Sequence, residues 1–359
     1  MPHQVEQDPE WLAITDHGDG AFGAAIVLRQ GGALRGYLPL RYRRVRVAMR
    51  LGEIPLAHVP LRTVQIFGTG VVGTGEDLVE RALTALGTLP FRIDVVTLEE
   101  VPVASDLWRC VESGRARPFV TVERERSQHH VADIPANPGD ILARVAGKGR
   151  RNIERGARKA AADLGPLDLR VYASPASMRD LLAAVEPVAV RTFQCHLLGH
   201  DLTLRNTRLL SNLERWAERG WVRAYTLSAG TVPLAYAIGF MAGRRYSYET
   251  IGYDPAHLAY SPGTILLTRI LADLAASKAA DVLDFGAGDA DYKQRFSTRV
   301  HDEVHLWLAR RTPYALGVAG SDRLLAHTAR LVGVALRRVG LKSSVRTLVR
   351  RLAERRPVR

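Results

Sequence analysis

The chain has 359 residues, 47% hydrophobic and 24% charged, an ordinary globular mixture whose length suits two domains of about 150 residues each. Its formal net charge is +13, but residues 321–359, with 11 Lys/Arg against 2 Asp/Glu, carry +9 and leave +4 on the other 320 residues. So nearly neutral a body is not that of a nucleic-acid-coating protein, whose basic surface would spread over the fold, and no specific nucleic-acid partner is expected.

In chain order, Gly23–Arg29 and Leu34–Tyr42 read as two β-runs joined by Gln30, Gly31 and Gly32, a hairpin signal. Thr63–Phe67 is a further strand, and Glu76–Leu86 a helix with Leu78, Val79, Ala82, Leu83 and Leu86 on one stripe. Phe91–Leu98 is a strand, and residues 127–139, with two prolines and a glycine, read as a connector. Gly149–Leu164 is a basic amphipathic helix, followed by helices over Met178–Thr192 and Thr203–Arg219. Val222–Leu227, Val232–Met241 and Arg245–Tyr253 form a three-stranded meander with Ala229-Gly230 and Ala242-Gly243 at its turns. A helix opens at Ser261-Pro262-Gly263; strand Asp281–Phe285, helix Asp289–Phe296 and strand Val304–Ala309 follow. Residues 321–339 form an amphipathic helix, Gly340 interrupts it, and a second basic amphipathic helix begins at Leu341.

No apolar run reaches the roughly 18–20 residues that span a bilayer, and the N-terminus lacks the basic and apolar regions of a secretory signal. A cytoplasmic location is expected, with a peripheral contact on the inner membrane face left open for residues 341–359. Cys110 and Cys195 read as buried thiols. His129-His130 and His196/His200 lack a third ligand at useful spacing, so no metal site is expected.

Val282-Leu283-Asp284-Phe285-Gly286-Ala287-Gly288 looks like the strand and glycine turn of Rossmann-type methyltransferases, but only 71 residues follow it, too few for the rest of that sheet. The element order from 140 to 310 instead resembles the acyltransferase fold of the GNAT superfamily. Tyr253-Asp254-Pro255, Ser261-Pro262-Gly263, Asp284 to Gly288 and Tyr292-Lys293 look like the CelD/BcsL-type acetyltransferase domain of bacterial polysaccharide-related proteins. Asp291 to Phe296 also resembles the aromatic-Lys-x-x-Phe segment of FemABX peptidyltransferases, which pair two GNAT-like domains. The resemblance implies an α/β fold of tandem GNAT-like domains, with mixed, mainly antiparallel sheets flanked by helices and C-terminal basic amphipathic helices. Residues 1–135 would be a divergent first copy, 140–310 the acyltransferase domain and 321–359 the helical tail.

A helix N-terminus after a splayed strand suits a pyrophosphate, because its free N–H groups and dipole face the anion. Ser261, Pro262, Gly263 and Thr264 occupy that position, as a cofactor site or as a plain helix cap. The resemblance implies acetyl-CoA or another acyl-CoA as donor, although Leu258 to Gly263 departs from the usual glycine-rich loop and leaves an aminoacyl-tRNA donor open. Glu249 stands where many GNAT enzymes place a base, or is a solvent-facing strand carboxylate. Tyr292 stands where GNAT enzymes often carry the tyrosine that protonates the leaving thiolate, or is half of a core pair with Phe296. Lys293, counted with Glu249 and Tyr292 as catalytic by the resemblance, suits one phosphate or carboxylate of a bound substrate. Asp254 is an acidic candidate or a turn former, and Asp284 caps or pairs locally, Lys293 being one partner. Arg150, Arg151, Arg155, Arg158 and Lys159 form a solvated helix face or hold an anionic substrate; Arg151, Arg155 and Asp254 are assigned to substrate. The expected activity moves an acyl group to an amine or hydroxyl of an envelope or polysaccharide precursor. The alternatives are a FemABX-like aminoacyl transfer and a non-catalytic anion- or membrane-binding module.

Overall fold

In a computed structural model, residues 4–338 are described, save 19, 53, 74, 145–146 and 193–200. The first half begins with helix α1 (Pro9–Ile14) and a meander of β1 (Phe22–Gln30), β2 (Ala33–Leu51) and β3 (Ile54–Phe67). Helix α2 (Glu76–Leu86) carries the chain to β4 (Val95–Pro102), which lies parallel to β3; α3 (Asp106–Glu112) and β5 (Phe119–Asp133) follow. The second half has α4 (Asp140–Arg144), α5 (Gly147–Leu164), β6 (Leu167–Tyr172), α6 (Met178–Ala189) and α7 (Thr207–Glu218). It then repeats the pattern: a meander of β7 (Val222–Ala229), β8 (Val232–Ala242) and β9 (Arg245–Tyr253), a crossover helix α8 (Pro262–Ala276), and β10 (Val282–Ala287) parallel to β9. Helix α9 (Asp291–Phe296), β11 (Arg299–Arg310) and α10 (Pro313–Arg338) end the described chain.

All eleven strands form a single mixed sheet in the order β1-β2-β3-β4-β11-β5-β10-β9-β8-β7-β6. Each half's last strand therefore completes the other half's sheet: β5 pairs antiparallel with β10, β11 pairs antiparallel with β4, and the two pair with each other at the centre. The connector expected over 127–139 is a strand as far as Asp133, because its partners β10 and β11 arrive from far down the chain. The strands expected at Leu34–Tyr42 and Thr63–Phe67 extend to Leu51 and back to Ile54, making a long hairpin.

The alternation in β8 is one of size rather than exposure. Tyr236 and Ile238 pack under α6 and α7, while Ala235 and Ala237 on the opposite face pack under α8. Alternate residues face opposite layers, and the small ones let the helix lie close. Trp11 stacks on Trp216 at 5.7 Å, so the N-terminal segment crosses onto the second half and places Gln4 and Glu6 near the sheet centre. Cys110 is buried in the first-half core, and Cys195 falls outside the described residues. Helix α10 includes residues 321–338 but begins eight residues earlier than the helix expected there. Gly340 and the helix expected from Leu341 lie outside the described residues. No described helix is long and apolar enough to cross a membrane.

Candidate active site

The site forms where two parallel strands part. β9 and β10 pair only at Arg245–Val282, Tyr246–Leu283 and Ser247–Asp284, yet β9 runs on to Tyr253 and β10 to Ala287. The split opens a cavity of about 580 Å³ whose walls include Ser247, Tyr248, Glu249 and Ile251 from one strand and Asp284 to Gly288 from the other. Glu100, His129, Tyr292 and Lys293 also face it. Tyr248, Ile251 and Tyr292 are shared with a second, more apolar cavity of about 230 Å³, whose other walls include Tyr253, Leu258 and Ser261 to Thr264.

Glu249 reaches this space through a β-bulge. In the β8–β9 ladder Thr250 pairs with Ile238 and Tyr248 with Gly239, which leaves Glu249 as the extra residue. A bulge of this kind re-aims a side chain. It requires glycine at 239, where a Cβ would come within 2.4 Å of Ser247 O and the Tyr246 ring. Glu249 is exposed, opening onto the cavity between the parted strands. Crowding by the cavity walls, reinforced by the charges of Glu6, Glu100 and Asp284, raises its carboxyl above the usual carboxylate range.

Glu100 was not apparent from the sequence. It sits in β4 at φ 56°, in the left-handed region, where the β4–β11 register slips. Its Oε2 accepts from Gln4 Nε2 at 2.8 Å. Burial and then Glu303 raise its pKa, and burial pushes the neighbouring Glu6 up to about 7. Three bulges or register slips thus ring the cavity, at Glu249, at Glu100 and at Phe285 in β10.

Tyr292 stands between the two cavities. It packs edge-on against Tyr248 (6.4 Å) and Phe285 (5.9 Å) rather than pairing with Phe296, and burial pushes its phenol up to about 12. Lys293, on the cavity wall, donates from Nζ to Gly286 O (3.2 Å) and Ala287 O (2.5 Å). Burial lowers its pKa. The local pair expected between Asp284 and Lys293 is not formed. Asp284 meets His129 Nε2 at 2.6 Å and Arg245 Nε at 2.9 Å, and accepts from Gly286 N at 2.8 Å. Burial disfavours the charged form of His129, but Asp284 and Glu303 outweigh it and push the imidazole up to about 10.

Ser261 adopts φ 58°, ψ 50° at the start of α8 and makes no side-chain cap, so its hydroxyl is not used in closing the helix. Gly263 faces the apolar cavity, where an added Cβ would meet only Tyr253 Cδ1, at 3.6 Å. Asp254 lines neither cavity. It is buried, accepts from Ala256 N at 2.9 Å and pairs with Arg191 at 2.6 Å. Arg151 and Arg155 are exposed on α5 and also line neither cavity. Their helix buttresses the turn before α8, with Gly156 packed against Tyr260 O. The structure therefore gathers Glu249, Tyr292, Lys293 and residues 261–264 about one split, and sets Arg151, Arg155 and Asp254 around its support.

Residues 147–294 match the family model described as an acetyltransferase (GNAT) domain. No curated protein matches the sequence. Among solved structures, FemX aligns at TM-score 0.59 and 11% identity over 88% of this chain and 94% of that one. The C-terminal domain (DUF2156) of a putative lysylphosphatidylglycerol synthetase from Agrobacterium fabrum aligns at TM-score 0.48 and 12% identity, over 82% and 86% of the two chains. A tandem GNAT protein from the clavulanic acid biosynthesis pathway aligns at 0.43 and 13%, over 82% and 85%. The stretch that matches the acetyltransferase (GNAT) model therefore holds α5, the β7–β9 meander, α8, β10 and the start of α9, within an α/β fold similar to that of FemX.

Proposed function

We propose that the protein transfers an acyl group from an acyl-CoA thioester, most simply acetyl-CoA, to an amine. The observation that carries this reading is the parting of β9 and β10, which sets Glu249 and Tyr292 on the walls of two adjoining cavities with the α8 N-terminus on the far side. GNAT domains usually take acyl-CoA as donor. The first turn of α8 faces the donor pyrophosphate with its N–H groups and positive dipole end, and the apolar walls at Ile251, Tyr253 and Leu258 suit the pantetheine chain. The acceptor enters the carboxylate-lined cavity. Its nitrogen attacks the thioester carbon as Glu249 takes the amine proton, the C–S bond breaks, and Tyr292 gives its proton to the departing thiolate. A base whose pKa is raised above the ordinary carboxylate range and a phenol that keeps its proton suit these two roles. Lys293, held on two carbonyls, fixes the 286–288 turn.

The CelD/BcsL-type motifs support an envelope or polysaccharide precursor as acceptor. Calorimetry with acetyl-CoA, longer acyl-CoAs and aminoacyl-tRNA tests the donor. Binding of an acyl-CoA that is lost in a Gly263→Val variant is expected. Binding of aminoacyl-tRNA alone would shift the reading to a FemABX-like aminoacyl transfer, and binding of none would remove the donor assignment.

A further inference from the structure

At the centre of the sheet β5 and β11 run antiparallel with His129 directly opposite His301, and the two-residue pleat puts Glu303 on the same face as His301. Two potential ligands at i and i+2 of one strand thus meet a third from its neighbour. His129 Nδ1 lies 2.8 Å from Glu303 Oε2, and His301 Nε2 lies 3.2 Å from Glu303 Oε1. One ligand atom from each residue falls within 4.8 Å of the others. His129 and Glu303 are 4% and 2% exposed. The facing atoms His129 Nδ1 and Glu303 Oε2 are sealed from solvent and, despite their closeness, lack the alignment of a hydrogen bond. Atoms sharing a metal at bonds of about 2.0–2.1 Å sit about 2.9–3.4 Å apart, close to the two separations that Glu303 makes here, and the two imidazoles are left to close up on the ion. The other nitrogen of His129 meets Asp284 Oδ1 at 2.6 Å, the carboxylate that fixes a ligating imidazole with its second nitrogen free.

We propose that His129, His301 and Glu303 bind a divalent transition-metal ion of the zinc class, with Asp284 orienting His129. Two imidazoles and a carboxylate suit zinc, and three protein ligands leave a position for water. The ion takes the place of a proton at His129 Nδ1, which is released to solvent. His301 now stacks on His129 at 4.7 Å and 23°, and must turn out of that stack to ligate; its side chain is 42% exposed and has room to do so. The ion would staple the two exchanged strands together at the seam of the halves, beside the cavity that His129 lines.

The test is calorimetry of the full chain, stripped with chelator, against zinc chloride, with cobalt(II) chloride as an absorbing probe. One ion per chain is expected, with a rise in melting temperature. His301→Ala, at an exposed side chain, should weaken binding at least tenfold without changing the melting temperature of the metal-free protein. Glu303→Gln should do the same to affinity, and His58→Ala, on a distant exposed strand position, should leave it unchanged. No zinc or cobalt binding, or binding unaltered in His301→Ala, would overturn the proposal even if Glu303→Gln fails to fold.

Discussion

The Tyr292 ring meets the Tyr248 ring edge-on at 6.4 Å and 73°, and this pair is part of the partition between the two cavities. Tyr248 is buried on β9, while Tyr292 arrives on a six-residue helix after the glycine turn. Such edge-to-face packing holds an aromatic ring in place without using its hydroxyl. Tyr292→Phe should therefore keep the fold and the melting temperature while lowering kcat by about 10²-fold, the scale of a lost general acid. Because the phenol sits near 12, parent activity should show no alkaline loss from Tyr292 between pH 8 and 10. Rates across that range with and without the substitution check both outcomes.

Glu249 must be ionised to accept a proton, and the crowding cavity walls together with Glu6, Glu100 and Asp284 oppose ionisation. The acid limb of kcat/KM against pH should fall well above the ordinary carboxylate value of 4.5. Glu100→Gln removes one of the repelling charges and should move that limb to lower pH, whereas Glu249→Gln should abolish it and cost about 10²–10⁴-fold in rate. A limb that stays put in Glu100→Gln would place the base elsewhere.

Glu6 gives a stability test of the same crowded acids. Its carboxyl is raised from 4.5 in the unfolded chain to about 7 in the folded one, so folding favours the protonated form. The stabilisation is complete below pH 4.5, declines as pH rises through 7, and is gone above it. Glu6→Gln has no such proton to lose. Relative to the parent it should be more stable at pH 8 than at pH 4, as denaturant titrations at the two values will show.

Much of this architecture was legible because periodicity reports local burial. The Glu76–Leu86 stripe and the β7–β9 meander are complete within a few neighbouring turns, so their residues alone declare them. The central strands were hidden for the opposite reason. Residues 127–133 look polar and histidine-rich, and they are strand only because β10 and β11 come to flank them. The same exchange joins His129 to Asp284, His301 and Glu303, a grouping that no local spacing announces. Asp254 was ambiguous in sequence between turn former and ligand; the structure shows it holding Ala256 N and Arg191. Glu249 was visible as a strand carboxylate, but the bulge that aims it depends on the packing of Gly239 against Tyr246.

That packing makes Gly239 the sharpest backbone test of the site. A methyl group there would come within 2.4 Å of Ser247 O and of the Tyr246 ring, and Tyr246 is fully buried and cannot move aside. Gly239→Ala should cost about 1–3 kcal/mol through overpacking. It should also pull β9 out of the register that leaves Glu249 unpaired. The expected signature is a lower melting temperature together with a fall in kcat larger than the change in donor affinity, since residues 261–264 belong to another element. Calorimetry with acetyl-CoA, set beside steady-state rates, separates the two effects. Unchanged kcat in a destabilised Gly239→Ala would mean that the bulge does not aim the base.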